Sequence, residues 1–158
     1  MSAHTRVLAA FAAFAAVSVV GLAAVSGAQA VGAPGDCEQA GNLIEGTNGR
    51  DVIDGTAGDD RILAKGGNDV IDGKGGNDVI LGAAGNDQIQ GANGADCVDG
   101  GDGDDRVRGG NGDDTVKGGD GRDFVYGDQG ADDIDGGGGE YDSRPEIDDS
   151  DSVARVEH

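Results

Sequence analysis

Ten aspartates recur at intervals of nine residues: Asp51, Asp60, Asp69, Asp78, Asp87, Asp96, Asp105, Asp114, Asp123 and Asp132. A glycine stands two places before each of them, and a β-branched residue two places after, from Ile53 through Ile134. Carboxylates are hard oxygen donors, and glycine turns offer backbone carbonyls of the same kind, while no His, Cys or Met falls at a suitable place. That donor set favours calcium over zinc or copper. Magnesium, which wants strict octahedral geometry at shorter distance, suits a cage of carbonyls and shared carboxylates less.

The elements that position these aspartates follow from the rest of the repeat. In register the units are GTNGRDVID, GTAGDDRIL, AKGGNDVID, GKGGNDVIL, GAAGNDQIQ, GANGADCVD, GGDGDDRVR, GGNGDDTVK, GGDGRDFVY and GDQGADDID, spanning residues 46–135 without insertion or deletion. The invariant β-branched residue at place eight suits extended backbone, so places seven to nine predict a three-residue strand whose middle member points inward. The other six residues must turn, with glycine at places one and four supplying positive φ and close approach; Ala64 is the single lapse at place one.

So short a strand cannot stand alone, so the units must stack as a solenoid, each burying its one Ile or Val against its neighbours. Two units make one coil, and successive coils lie about 4.8 Å apart as in any parallel sheet. The aspartates then form two columns, Asp51, Asp69, Asp87, Asp105 and Asp123 on one edge and Asp60, Asp78, Asp96, Asp114 and Asp132 on the other. Carboxylates at about that spacing repel one another, and a divalent cation between neighbours turns the repulsion into a cross-link.

These units resemble the GGxGxDxUx nonapeptide of RTX (repeats-in-toxin) proteins, nearly whole in GGDGDDRVR, GGNGDDTVK and GGDGRDFVY. The resemblance implies an all-β fold, a parallel β-roll or right-handed β-solenoid of ten nine-residue repeats, two per coil. It also implies that the turns of units n and n+2 share one Ca2+, each giving its sixth-place Asp and backbone carbonyls, so that ten turns allow about eight ions.

Beyond the array the pattern decays. Residues 31–45 read as an N-terminal cap, in which CEQAGNLIE over 37–45 keeps Leu43 and Ile44 in register but has Ala40 and Asn42 where Gly and Asp belong, a strand without a proper site. Residues 136–158 read as a C-terminal cap. Over 136–144, GGGGEYDSR starts an eleventh turn with Tyr141 at the Asp place, and the tail, with Ile147, Val153 and Val156, is suited to close the last coil with a strand.

Residues 1–30 read as a cleavable secretory signal peptide, with Arg6, an apolar run over 7–25 and the small residues Ala28-Gln29-Ala30; an uncleaved anchor is the alternative. RTX proteins often carry an uncleaved C-terminal export signal, and the N-terminal leader departs from that pattern. The expectation is a secreted, extracellular chain with no membrane association after cleavage. Losing Arg6 leaves ten basic against thirty-one acidic residues, a formal charge of −21, with Phe124, Tyr126 and Tyr141 the only aromatics. That is the composition of a chain disordered without calcium, so folding and binding are expected to be coupled. Extracellular calcium modules bind at roughly 10⁻⁴ to 10⁻³ M, in keeping with that compartment.

Two cysteines in an exported chain suggest a Cys37 to Cys97 disulfide, with free thiols or an intermolecular bridge as alternatives. About three coils separate their layers, so a bridge needs the segment before Gly41 to fold back along the roll. Acidity argues against nucleic-acid or anionic-membrane partners. No G-K-[ST] is present, and Asp102 and Asp104 are followed by Arg106 where an EF-hand loop needs another acid or amide. His4 and His158 lie at the extremes, no H-E-x-x-H or G-x-S-x-G occurs, and an enzyme is not expected. The scattered arginines and lysines read as a solvated face. No threonine row suggests ice binding, but an adhesive or scaffold role toward a protein or cell surface stays open as the second reading.

Overall fold

The computed structural model describes residues 41–139 and, as strands, residues 5–8 and 152–155; the rest of residues 1–40 and 140–158, with Cys37, Tyr141, Ile147 and Val156, lie outside the described residues. Among the described residues there are thirteen strands: β1 (Thr5–Leu8), β2 (Asn42–Glu45), β3 (Asp51–Asp54), β4 (Asp60–Leu63), β5 (Val70–Asp72), β6 (Val79–Ala84), β7 (Gln88–Asn93), β8 (Cys97–Asp102), β9 (Arg106–Asn111), β10 (Thr115–Asp120), β11 (Phe124–Gln129), β12 (Asp133–Asp135) and β13 (Ser152–Arg155). They form two sheets, ordered β1-β3-β5-β7-β9-β11 and β13-β12-β10-β8-β6-β4-β2. Every pairing is parallel. Consecutive units therefore alternate between the sheets, and the chain is an all-β solenoid of about five turns with no helix among the described residues, a parallel β-roll.

The register is the one the repeat dictates: Ile53 pairs with Ile71, Ile71 with Ile89, Ile62 with Ile80 and Ile80 with Val98. All ten place-eight residues are buried between the sheets, joined by Ile44 and Ala64. Each β-branched side chain stabilises by about 1.5–3 kcal/mol when fully buried, and one per nine residues makes a thin core. At the ends, Ile44 pairs with Ile62 while Leu43 is exposed, and Val153 of β13 takes the register position opposite Ile134.

Two expectations need correction. From β6 to β11 the strands are six residues long, because places one to three of the following unit continue the ladder, as in Ala83↔Gly101 and Ala84↔Asp102. Positive φ falls at places two and four, not one and four. Place two holds it even where the residue is not glycine, at Lys65, Lys74, Ala83, Ala92 and Asp128. That left-handed residue bends the coil without breaking the ladder, and a non-glycine there carries strain of about 1 kcal/mol or more. Place one is glycine for room: a methyl on Gly73 would lie 2.5 Å from Asp78 Oδ2 and 2.6 Å from the Gly91 carbonyl oxygen.

The place-four glycines separate into two groups that make a direct test. Gly85 has φ +128° and its Cα faces the Gly67 carbonyl, whereas Gly58 has no positive φ and open space where a methyl would go. Gly85→Ala should destabilise the folded roll by about 2 kcal/mol or more, and Gly58→Ala by less than about 0.5 kcal/mol, in denaturant titrations. Equal effects would contradict the turn geometry.

Candidate metal centre

Alternation along the backbone turns place six inward, and all ten aspartates are buried, none more than 3% exposed. The stacked register gathers them into the two expected columns, linked by one repeating hydrogen bond. The backbone N–H of each Asp donates to Oδ1 of the Asp two units later, from Asp51 to Asp69 at 2.7 Å and Asp60 to Asp78 at 2.9 Å through Asp105 to Asp123 at 2.9 Å and Asp114 to Asp132 at 2.8 Å. Eight such links join units 1 and 3 through 8 and 10.

The other oxygen is the chemically telling one. Oδ2 of Asp69, Asp78, Asp87, Asp96, Asp105 and Asp114 is sealed from water and receives no hydrogen bond among the described residues. A buried carboxylate oxygen without a donor costs several kcal/mol unless a proton or cation satisfies it. Nearby stands another acceptor, since the same face of Gly73 meets both Asp78 Oδ2 and the Gly91 carbonyl. A carboxylate oxygen buried without a donor is a ligand suited to a hard cation. Among the described residues no three Asp, Glu, His or Cys side chains come together, so a cation here would take its further ligands from backbone carbonyls or water.

The first two aspartates differ. Asp51 Oδ2 accepts the Thr47 N–H at 2.5 Å and Oδ1 accepts its hydroxyl at 3.3 Å, and Asp60 is held the same way by Thr56. Positive φ among the described array residues begins only at Lys65, so turns one and two are hydrogen-bonded Thr turns with their own carboxylates satisfied locally. Beneath the first of the even column, Asn42 Nδ2 donates to Asp60 Oδ1 at 3.2 Å, an amide closing the stack where a carboxylate would repel.

A second ladder went unread in the sequence. At place five, side-chain oxygens accept the backbone N–H of the residue eighteen positions on: Asp59 from Asn77, Asn68 from Asn86, Asn77 from Ala95, Asn86 from Asp104, Asp104 from Arg122 and Asp113 from Ala131. The recurrence of Asn or Asp at that place was the available signal. These exposed bonds fix the spacing of the turns beside the aspartates. Cys97, on the outward row of β8, is disulfide-bonded.

Burial, assisted by neighbouring carboxylates and opposed by the backbone N–H bond, raises these acids above the ordinary 3.8: Asp114 to about 8, Asp78 and Asp105 to about 7, Asp87 and Asp96 to about 6, and Asp69 in the same direction. The folded roll therefore holds protons that the unfolded chain releases. Protonation supports the metal-free fold below about pH 4, and that support is lost as pH rises through 6 to 8. Circular dichroism of metal-free protein should show strand content near pH 4 that falls away by pH 8, where only an added cation restores it. Strand content independent of pH without metal would contradict the assignment.

Comparison with curated proteins and with solved structures gave no match to this chain. The RTX calcium-binding nonapeptide repeat family (4 copies) matches it at residues 40–71, 72–107 and 108–140, a continuous stretch covering more than half of its length. With the solenoid, the buried aspartate columns and their unsatisfied oxygens established, the chain belongs to the RTX calcium-binding nonapeptide repeat family.

Proposed function

We propose that this is a secreted calcium-binding protein whose array folds as it binds about eight Ca2+, one for each hydrogen-bonded pair of turns. The observation that carries the reading is the set of buried, donorless Oδ2 atoms, repeated at ladder spacing from Asp69 to Asp114. In this reading the later Asp of each pair supplies the essential carboxylate. Asp69, Asp78, Asp87, Asp96, Asp105, Asp114, Asp123 and Asp132 are the principal ligands, and Asp51 and Asp60 serve mainly as capped ends. Bound calcium would supply the charge that the unpartnered oxygens lack, and the role is one of binding and folding rather than catalysis. Residues 1–30 act as the export leader, and Cys97 pairs with Cys37, the chain's other cysteine, after export to an oxidising compartment.

A formal charge of −20 on a chain with 3% aromatic residues supports coupled folding. Neutralising two charges per turn pair removes the repulsion that holds the calcium-free chain open. An adhesive or scaffold role draws on one further observation, a groove of about 680 Å³ along the outer face of the β3-containing sheet, bordered by Asn68, Asn86, Gln88, Arg106 and the exposed Phe124. A Phe124→Ser variant that still folds with calcium isolates that face, and unchanged retention on cell surfaces would dismiss it.

Calcium titration at pH 8, followed by circular dichroism with calorimetric counting of ions, tests the main reading. Strand content should appear cooperatively with calcium and not with equal magnesium; a chain already folded in chelator would overturn it. Asp87→Asn, in the middle of its column, should raise the calcium midpoint severalfold, whereas Asp51→Asn, whose carboxylate is already held by Thr47, should shift it by less than about twofold. Identical shifts would remove the distinction between capped and open aspartates.

A further inference from the structure

The strand seated on the outer edge of β3 comes from the leader. β1 pairs with β3 in parallel over four positions: Thr5↔Asp51, Arg6↔Val52, Val7↔Ile53 and Leu8↔Asp54. Its sequence, Thr-Arg-Val-Leu, follows Asp-Arg-Ile-Leu of β4 position for position, with a β-branched residue at the place that is Ile or Val in all ten units. Two features of a repeat are missing. Thr5 stands where the aspartate belongs, and Ala3 where the place-four glycine does. β1 is the strand half of a repeat without its metal half, the form suited to end a stack. An exposed parallel edge presents unpaired N–H and C=O groups that take up any compatible strand, and this one is covered from within the chain.

Resting on the reading of residues 1–30 as an export leader, we propose that the β3 edge is a strand-accepting site whose ligand in the precursor is Thr5–Leu8. Calcium-driven folding and recognition of the leader then exclude one another. Arg6, the leader's single basic residue, and the first two residues of its apolar run lie inside the paired strand, tied to the roll by ladder hydrogen bonds. A leader held in that way is not free to enter an export channel. Where calcium is scarce the array stays unfolded and the leader free; where calcium is plentiful the roll closes and captures it. Removal of the leader after export bares the edge at Asp51–Asp54, so the mature roll is less firmly closed at this end than the folded precursor.

Limited trypsin digestion of the full-length chain tests this, with cleavage after Arg6 followed by mass spectrometry in saturating calcium and in chelator. Once circular dichroism confirms folding in calcium, cleavage at Arg6 should be at least about tenfold slower than in chelator, because access requires local opening of β1. Val7→Asp sets a charge at a register position that is apolar in every unit and should restore fast cleavage in calcium without altering the dichroism of the roll. Equal cleavage with and without calcium in a folded chain, or protection that survives Val7→Asp, would overturn the proposal. Failure of the chain to fold in calcium, seen before protease is added, would instead overturn the calcium reading on which it rests.

Discussion

Each coil of this solenoid places a carboxylate where water cannot reach it and sets the next one a ladder spacing away. The rest of the structure is arranged around satisfying those groups. From Asp69 onward, one oxygen of each is served by the backbone N–H of the aspartate a coil earlier, at 2.7–2.9 Å. The other, at six central positions, has no donor. Raised proton affinity is the immediate physical consequence, since burial penalises the charged form and adjacent carboxylates compound the penalty. Protons and a hard dication are the two species that relieve it, and the proton's share falls as pH rises through 6 to 8.

The hydrophobic contribution is small by comparison with that demand. One Ile or Val per unit, together with Ile44 and Ala64, makes the whole core of the described residues. A core so thin aligns the coils more than it holds them, which is why the polar ladders matter. The place-five Asn and Asp side chains tie each turn to the next from outside, while the aspartate N–H bonds tie them from inside. Steric economy follows: glycine at place one and, from Gly67 onward, at place four lets backbone approach backbone where a methyl would meet a carbonyl or carboxylate oxygen at 3 Å or less.

The ends show how a repeating stack is stopped. At the first two turns, threonine hydroxyls and N–H groups take over the carboxylates, and Asn42 offers an amide where its column would otherwise begin with a sixth acid. Val153 continues the core register beyond Ile134 at the far end of one sheet. Thr47 with Asp51 and Thr56 with Asp60 look, in one dimension, like any other Asp-containing turn. Only the hydrogen bonds show that these two aspartates are already satisfied.

Much of the architecture was legible because period and register are one-dimensional properties. A nine-residue repeat with one β-branched position fixes two units per coil, the pairing of Ile53 with Ile71, and the division of ten aspartates into two columns. What the residues alone did not reveal was conformational. Positive φ sits at place two even when the residue is Lys65, Lys74 or Ala83, because the ladder on either side imposes it on side chains that disfavour it. Strand lengths of six follow from that same bend, since the backbone keeps its partners through the turn. Composition therefore determined that oxygen ligands recur, and how often; the tertiary stack decided which oxygens are left without a donor, because a hydrogen bond between residues eighteen apart exists only once the coils are laid on one another.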